Sequence, residues 1–166
     1  PGGGSLKFFT RTYEQQGIVF DRIFGWEADP HTQEQIYGVM PDALVDRISY
    51  FNVPVNVTVG NKHNPLRTLR AIARPNDFVV FKLDIDPNSK VEEALIHQLL
   101  HGGADSLMAT LVDEFYFEHH THLSPMASKG WRMRGFDSLE HTRATLEQSF
   151  HLFHRIRELG VRAHSW

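Results

Sequence analysis

The stretch "DFVVFKLDID", residues 77 to 86, runs four consecutive apolar residues, Phe78 to Phe81, into Lys82, Asp84 and Asp86 at alternate positions. Apolar residues in an unbroken run suit a strand buried on both faces. Charges at every second position share one face of an extended chain. Carboxylates placed in this way could pair with Lys82, meet a helix N-terminus, face a cationic ligand or give oxygens to a divalent ion. Two further runs end similarly: "IVFDRIFGWE" closes on Glu27, and "LVDEFYFEHH" closes on Glu118, His119 and His120. Polar groups at such ends would meet at one rim and make a binding edge.

Metal binding is the other chemistry these residue types allow. His97 and His101 are spaced i,i+4 in "HQLLH" and share a helix face. The zinc-protease version of that spacing has Glu directly after the first His, whereas Gln98 stands here, so a surface or packing role is expected. Glu118, His120 and His122 would alternate onto one face if extended, a second arrangement that could hold a metal. No resident metal is assigned. The chain has no cysteine, which excludes disulfides, thiolate ligands and cysteine nucleophiles together.

The elements that must position these groups alternate. "SLKFFTRTYEQQ" is helical in composition and stops at Gly17, and the strand ending in Glu27 follows. "TQEQIYGVMPDALVDR" is interrupted by Pro41, which predicts two short helices or a kink. "ISYFNVPVNVTVG" is strand-like, with Pro54 marking an edge or bulge. "NPLRTLRAIA" is a short amphipathic helix ahead of "DFVVFKLDID". Ser89 and Glu92 form an S-x-x-E capping box for "KVEEALIHQLL", which Gly102 and Gly103 close. After the strand ending in Glu118, Asp137 and Glu140 could cap the long helix "SLEHTRATLEQSFHLFHRIREL", and "VRAHSW" is a last strand. Strands alternating with helices predict a mostly parallel sheet with helices on both faces, and ligands of such sheets bind outside the carboxyl ends of the strands.

At 166 residues a single domain spanning 1–166 is the simplest expectation. Apolar and charged fractions of 41% and 22% are those of a globular protein. A formal charge of -3 gives no electrostatic support to a nucleic-acid partner. No apolar run is long enough for a membrane-spanning helix, and "PGGGSLKFF" lacks the layout of a secretory signal. A soluble, intracellular protein is expected. With 11 histidines the formal charge would move from -3 to +8 on full protonation, a property of the whole chain that identifies no site.

Taken in order, "FDRIFGWEADP", "FVVFKLDID", "VDEFYFEHH" and "RELGVRAHSW" resemble the FkbM-like branch of the S-adenosylmethionine-dependent methyltransferases, from about Gly17 onward. The family has an acid ending its second strand, as Glu27 does in "GWEADP". It has a K-[IL]-D-[IV]-[ED] strand, matched by "KLDID", and a strand ending in Glu and His, matched by "YFEHH".

The resemblance implies a Rossmann-like α/β fold and S-adenosylmethionine as cofactor. Glu27 would accept from the ribose hydroxyls, Asp84 would face the ammonium or sulfonium at the methionine end, and Gly4 would belong to the glycine turn around the methionine part. His119, Glu118 and Asp86 form the implied catalytic set, with His119 taking the acceptor's hydroxyl proton. The acceptor would be a small molecule or glycan. The family's first strand, ending in an acid and a glycine-rich turn, has no counterpart before "PGGGS". Either the chain is a fragment of a longer protein or its cofactor site is degenerate, and loss of that strand would expose a sheet edge that a protein partner could cover. A non-catalytic, methyltransferase-like interaction subunit is the alternative expectation. "KLDID" also continues into Pro87 where the family has glycine.

Overall fold

The computed structural model describes residues 3–38, 40–85, 89–119 and 144–166. Asp86, His120, His122, Trp131, the basic run 124–135 and the expected caps Asp137 and Glu140 lie outside the described residues. The chain is a mixed α/β protein with parallel strands, consistent with a Rossmann-like fold, but the strands form two small sheets rather than one. It divides into two compact units, Pro1–Asn56 and Val57–Trp166.

In the first unit, α1 (Gly3–Glu14) carries Tyr13, whose buried ring lies edge-on to Phe20 at 5.1 Å and stacks with Phe9. Gly17, at a φ of +78°, takes the left-handed conformation that lets the chain leave the helix. Strand β1 (Ile23–Trp26) pairs in parallel with β2 (Ile48–Phe51), Trp26 opposite Phe51. Between them Pro41 separates α2 (Gln33–Tyr37) from α3 (Asp42–Val45), as its missing N–H requires. Thr32 and Gln35 form the capping box of α2. Strand β2 stops at Phe51 and does not run on through Pro54.

In the second unit, Asn64 caps α4 (Pro65–Ile72), with Pro65 at its first position. Strand β3 (Val80–Leu83) leads to α5 (Ser89–Leu100), which Gly102 ends at a φ of +101°. A 3₁₀ turn (Gly103–Asp105) and α6 (Leu107–Leu111), capped by Ser106, precede β4 (Glu114–Phe117). Helix α7 (Leu146–Glu158) opens on a Thr145–Gln148 capping box, so the described helix begins later than the sequence suggests. Strand β5 (Arg162–Ser165) follows Gly160.

The order is β3-β4-β5, all parallel, with Phe81 opposite Phe115 and Phe115 opposite Ala163. Both connections step the same way across the sheet, so right-handed crossovers put α5, α6 and α7 on one face. The Phe117–Phe153 ring contact identifies that face: it carries Phe81, Leu83, Phe115, Phe117 and Ala163. Leu95, Leu99, Met108 and Ile156 are fully buried and complete the core. The opposite face carries Lys82, Glu114, Tyr116, Arg162 and His164.

Candidate functional site

In the first unit the carboxyl ends of both strands are tied together by one side chain. The Glu27 N–H donates to the Phe51 carbonyl, extending the ladder by one residue. Asn52, the next residue of the other strand, donates from Nδ2 to the carbonyl oxygens of Glu27 (2.9 Å) and Asp29 (2.6 Å). Its Oδ1 accepts from the His31 N–H at 2.7 Å. Glu27 Oε1 accepts from the Asp29 N–H at 3.0 Å. The acid expected to meet a ligand therefore commits one oxygen to its own turn. Burial pushes the Tyr50 hydroxyl above its ordinary value of 10.0, and the Glu27 charge adds to the shift. Trp26 stacks on Phe51 with 5.0 Å between ring centroids, a packing role. Its Nε1 is buried without a hydrogen-bond partner among the described residues.

The second unit gathers most of the remaining candidates. The Glu118 N–H donates to the Leu83 carbonyl, so β3 and β4 end together, with Asp84 and Glu118 following paired residues. Alternation puts these two acids on the Lys82 face. His119 turns the other way and stacks on Phe117, 4.8 Å between centroids, so the expected base and its neighbouring acid occupy opposite faces. Glu92, buried in the first turn of α5, accepts from the Ile85 N–H at 2.9 Å and fixes the chain as it leaves β3.

Lys82 pairs with Asp84, both side chains about one-fifth exposed. Its ammonium also lies 4.9 Å from the centre of the Trp166 ring. Trp166 follows β5, two strands away, and its N–H donates to the Phe117 carbonyl. Tyr116 sits between, edge-on to Trp166 at 6.0 Å and stacked on His164 at 4.4 Å. Deeper on this face, Glu114 accepts from Arg162 at 2.6 Å and from the Tyr116 hydroxyl at 3.2 Å. His164 Nε2 lies 3.5 Å from the same carboxylate, close enough to pair when protonated but without hydrogen-bond geometry. Sequence reading missed Glu114, Tyr116, His164 and Asn52. Strand alternation could have found the first three, and a polar residue directly after β2 could have flagged the fourth.

Gly4 lies in the first turn of α1 with open space around its Cα, so nothing in its surroundings requires glycine there. His97 on α5 and His101 just past its end are exposed, their rings 6.0 Å apart. Gln98 is structural: it donates to the Val57 carbonyl at 2.7 Å and accepts from Asn64 at 3.2 Å. Among the described residues, no group of three or more His, Asp or Glu side chains is gathered to hold a metal ion. No helix among them is long and apolar enough to cross a membrane. Compared with known proteins, the chain matches no family model, no curated protein and no solved structure.

Proposed function

We propose that this chain is an S-adenosylmethionine-dependent O-methyltransferase-like domain acting on a small molecule or glycan. The observation that carries the proposal is the placement of acids at the carboxyl ends of adjacent parallel strands in the second unit: Asp84 after β3 and Glu118 after β4. Ligands of open parallel sheets bind at those ends. Asp84 would face the methionine end of the cofactor. The cofactor, when bound, would supply a methyl group to the acceptor's hydroxyl oxygen. Glu118, on the same sheet face as Asp84, would take the hydroxyl proton, since His119 faces the other way. Calorimetric titration with S-adenosylhomocysteine tests this. Micromolar binding that disappears in Asp84→Ala is expected; unchanged affinity in that variant removes the assignment.

A second reading, a non-catalytic interaction subunit, is favoured by one contrast between the edges of the second unit's sheet. At β5 the outward carbonyl of Ala163 is capped by Arg157, whose Nη2 and Nε donate at 2.7 and 3.2 Å. At β3 the odd-numbered backbone groups face β4, so those of Val80 and Lys82 point outward, and no strand neighbours them among the described residues. An apolar edge of this kind takes up a partner strand readily. Rapid amide exchange at Val80 and Lys82 in the isolated chain is expected on this reading. Strong protection there would show the edge already covered.

A further inference from the structure

We infer that the outward side of α4 is a docking surface for a short acidic peptide segment of a partner protein, held by Arg67 and Arg70 with Lys62 beside the helix start. The inference goes beyond the cofactor reading and does not depend on it.

Charge is spread unevenly along this chain. No acid occurs from Ile48 to Asn76, a stretch that holds Lys62, Arg67, Arg70 and Arg74. Taking those four from the 17 Lys and Arg leaves 13 elsewhere against all 20 Asp and Glu, so the net -3 is +4 here and -7 over the rest.

Helix α4 sorts its side chains by the helical period. Pro65, Leu66 and Leu69 are buried, whereas Arg67 and Arg70, three apart, are exposed as neighbours. Lys62, two residues ahead of the Asn64 cap, is exposed as well. Among the described residues these three side chains make no ion pair or hydrogen bond. Arg74 is set apart, since it follows the extended C-cap Ala73 and its N–H donates to the Asp77 carboxylate at 2.9 Å. Arg67 also stands in the first turn of α4, where the helix dipole favours acids over cations. Its charge adds no stability to the helix, and its fork of donors is left for an anionic partner.

Three observations choose that partner. At 1.5 Å of rise per residue the two arginines are about 4.5 Å apart along the axis, a grip for about two acidic side chains. A long polyanion or an anionic bilayer would reach past so small a cluster to the net -7 that the rest of the chain carries. No Phe, Tyr or Trp lies between Phe51 and Phe78 to stack on bases. Val59, 65% exposed, instead offers an apolar contact of the kind a peptide side chain uses. Its loop is tied to the helix start, because Asn64 Nδ2 donates to the Thr58 carbonyl at 3.3 Å. Arginine clusters recognise acidic peptide motifs in this way.

Fluorescence anisotropy of a labelled hexaglutamate peptide, read at low and at physiological salt, tests the inference. Binding that weakens as salt rises is expected. Affinity should fall about tenfold in Arg67→Ala/Arg70→Ala, the scale of two exposed charge pairs. Arg67→Lys/Arg70→Lys keeps the charge without the fork and should fall between that variant and the wild type. Arg155→Ala, exposed on α7, should bind as the wild type does. Absence of binding at low salt, or an equal loss in Arg155→Ala, overturns the site. Tighter binding of a DNA duplex or of phosphatidylserine vesicles, lost in the double alanine variant, overturns the peptide assignment in favour of a nucleic acid or a membrane. Self-association that the same variant abolishes points to a second copy of the chain and overturns it too.

Discussion

Asn52 holds Glu27 in place from the neighbouring strand: its side-chain amide donates to the Glu27 carbonyl at 2.9 Å, one residue past the last pair of the β1–β2 ladder. The same side chain reaches Asp29 and His31, so a single amide organises the whole turn that carries the acid.

Asn52→Ala removes three hydrogen bonds from that turn, and at about 0.5–1.5 kcal/mol each, lowered by partial exposure, a loss of about 1–3 kcal/mol is expected. Urea denaturation measures it. Asn52→Asp should do no better, since it keeps the acceptor for His31 but sets a carboxylate against two carbonyl oxygens. Wild-type stability in both variants would mean that the turn holds without its amide.

Tyr50 gives the first unit a pH dependence of known sign. Burial first, and the Glu27 charge second, raise its hydroxyl above 10.0, so the folded chain holds this proton more tightly than the unfolded chain does. The associated stability is fully present below the unfolded value near 10 and is lost as pH rises through the higher folded value. Phenolate absorbance, compared with Tyr50→Phe, should show one tyrosine titrating late. Glu27→Gln removes the smaller cause, so the titration should move down without reaching the ordinary value. A titration unmoved by that change would separate the two residues electrostatically.

Gln98→Glu would complete the zinc-protease spacing between His97 and His101, yet it is expected to gain no metal. The substitution replaces the amide that donates to the Val57 carbonyl with a carboxylate. A loss of about 1–3 kcal/mol follows from leaving that hydrogen bond unmade. Thermal melts with and without zinc check both statements: the midpoint should fall, and zinc should not restore it.

The helix punctuation was legible because local chemistry decides it. Pro41 splits two helices, Asn64 and Pro65 open a third, and Gly102 ends a fourth, each through groups within a turn of the residue. The acids ending β1, β3 and β4 were legible as well, since each closes a mainly apolar strand. The extent of β2 was not, because "NVPVNVTV" alternates like a strand while Pro54 lacks a donor. Helix α6 was missed because "LMATL" is too short to show a period and runs into β4. Asn52, Gln98, Trp166 and Arg157 acquire their roles from partners that only the folded chain brings near. The division into two sheets depends on strand pairing, and pairing is a property of tertiary structure.

The guanidinium that caps the outer edge of β5 lies only six residues from the carbonyl it holds. Closing so small a loop costs little chain entropy, whereas bringing β5 against β4 closes the whole connection from Glu118 to Val161. Interactions of short sequence separation form first in folding. Helix α7 and β5 can thus assemble as a helix–strand hook and reach β4 as one preformed piece, so the slow search is for a single docking event rather than for a strand on its own.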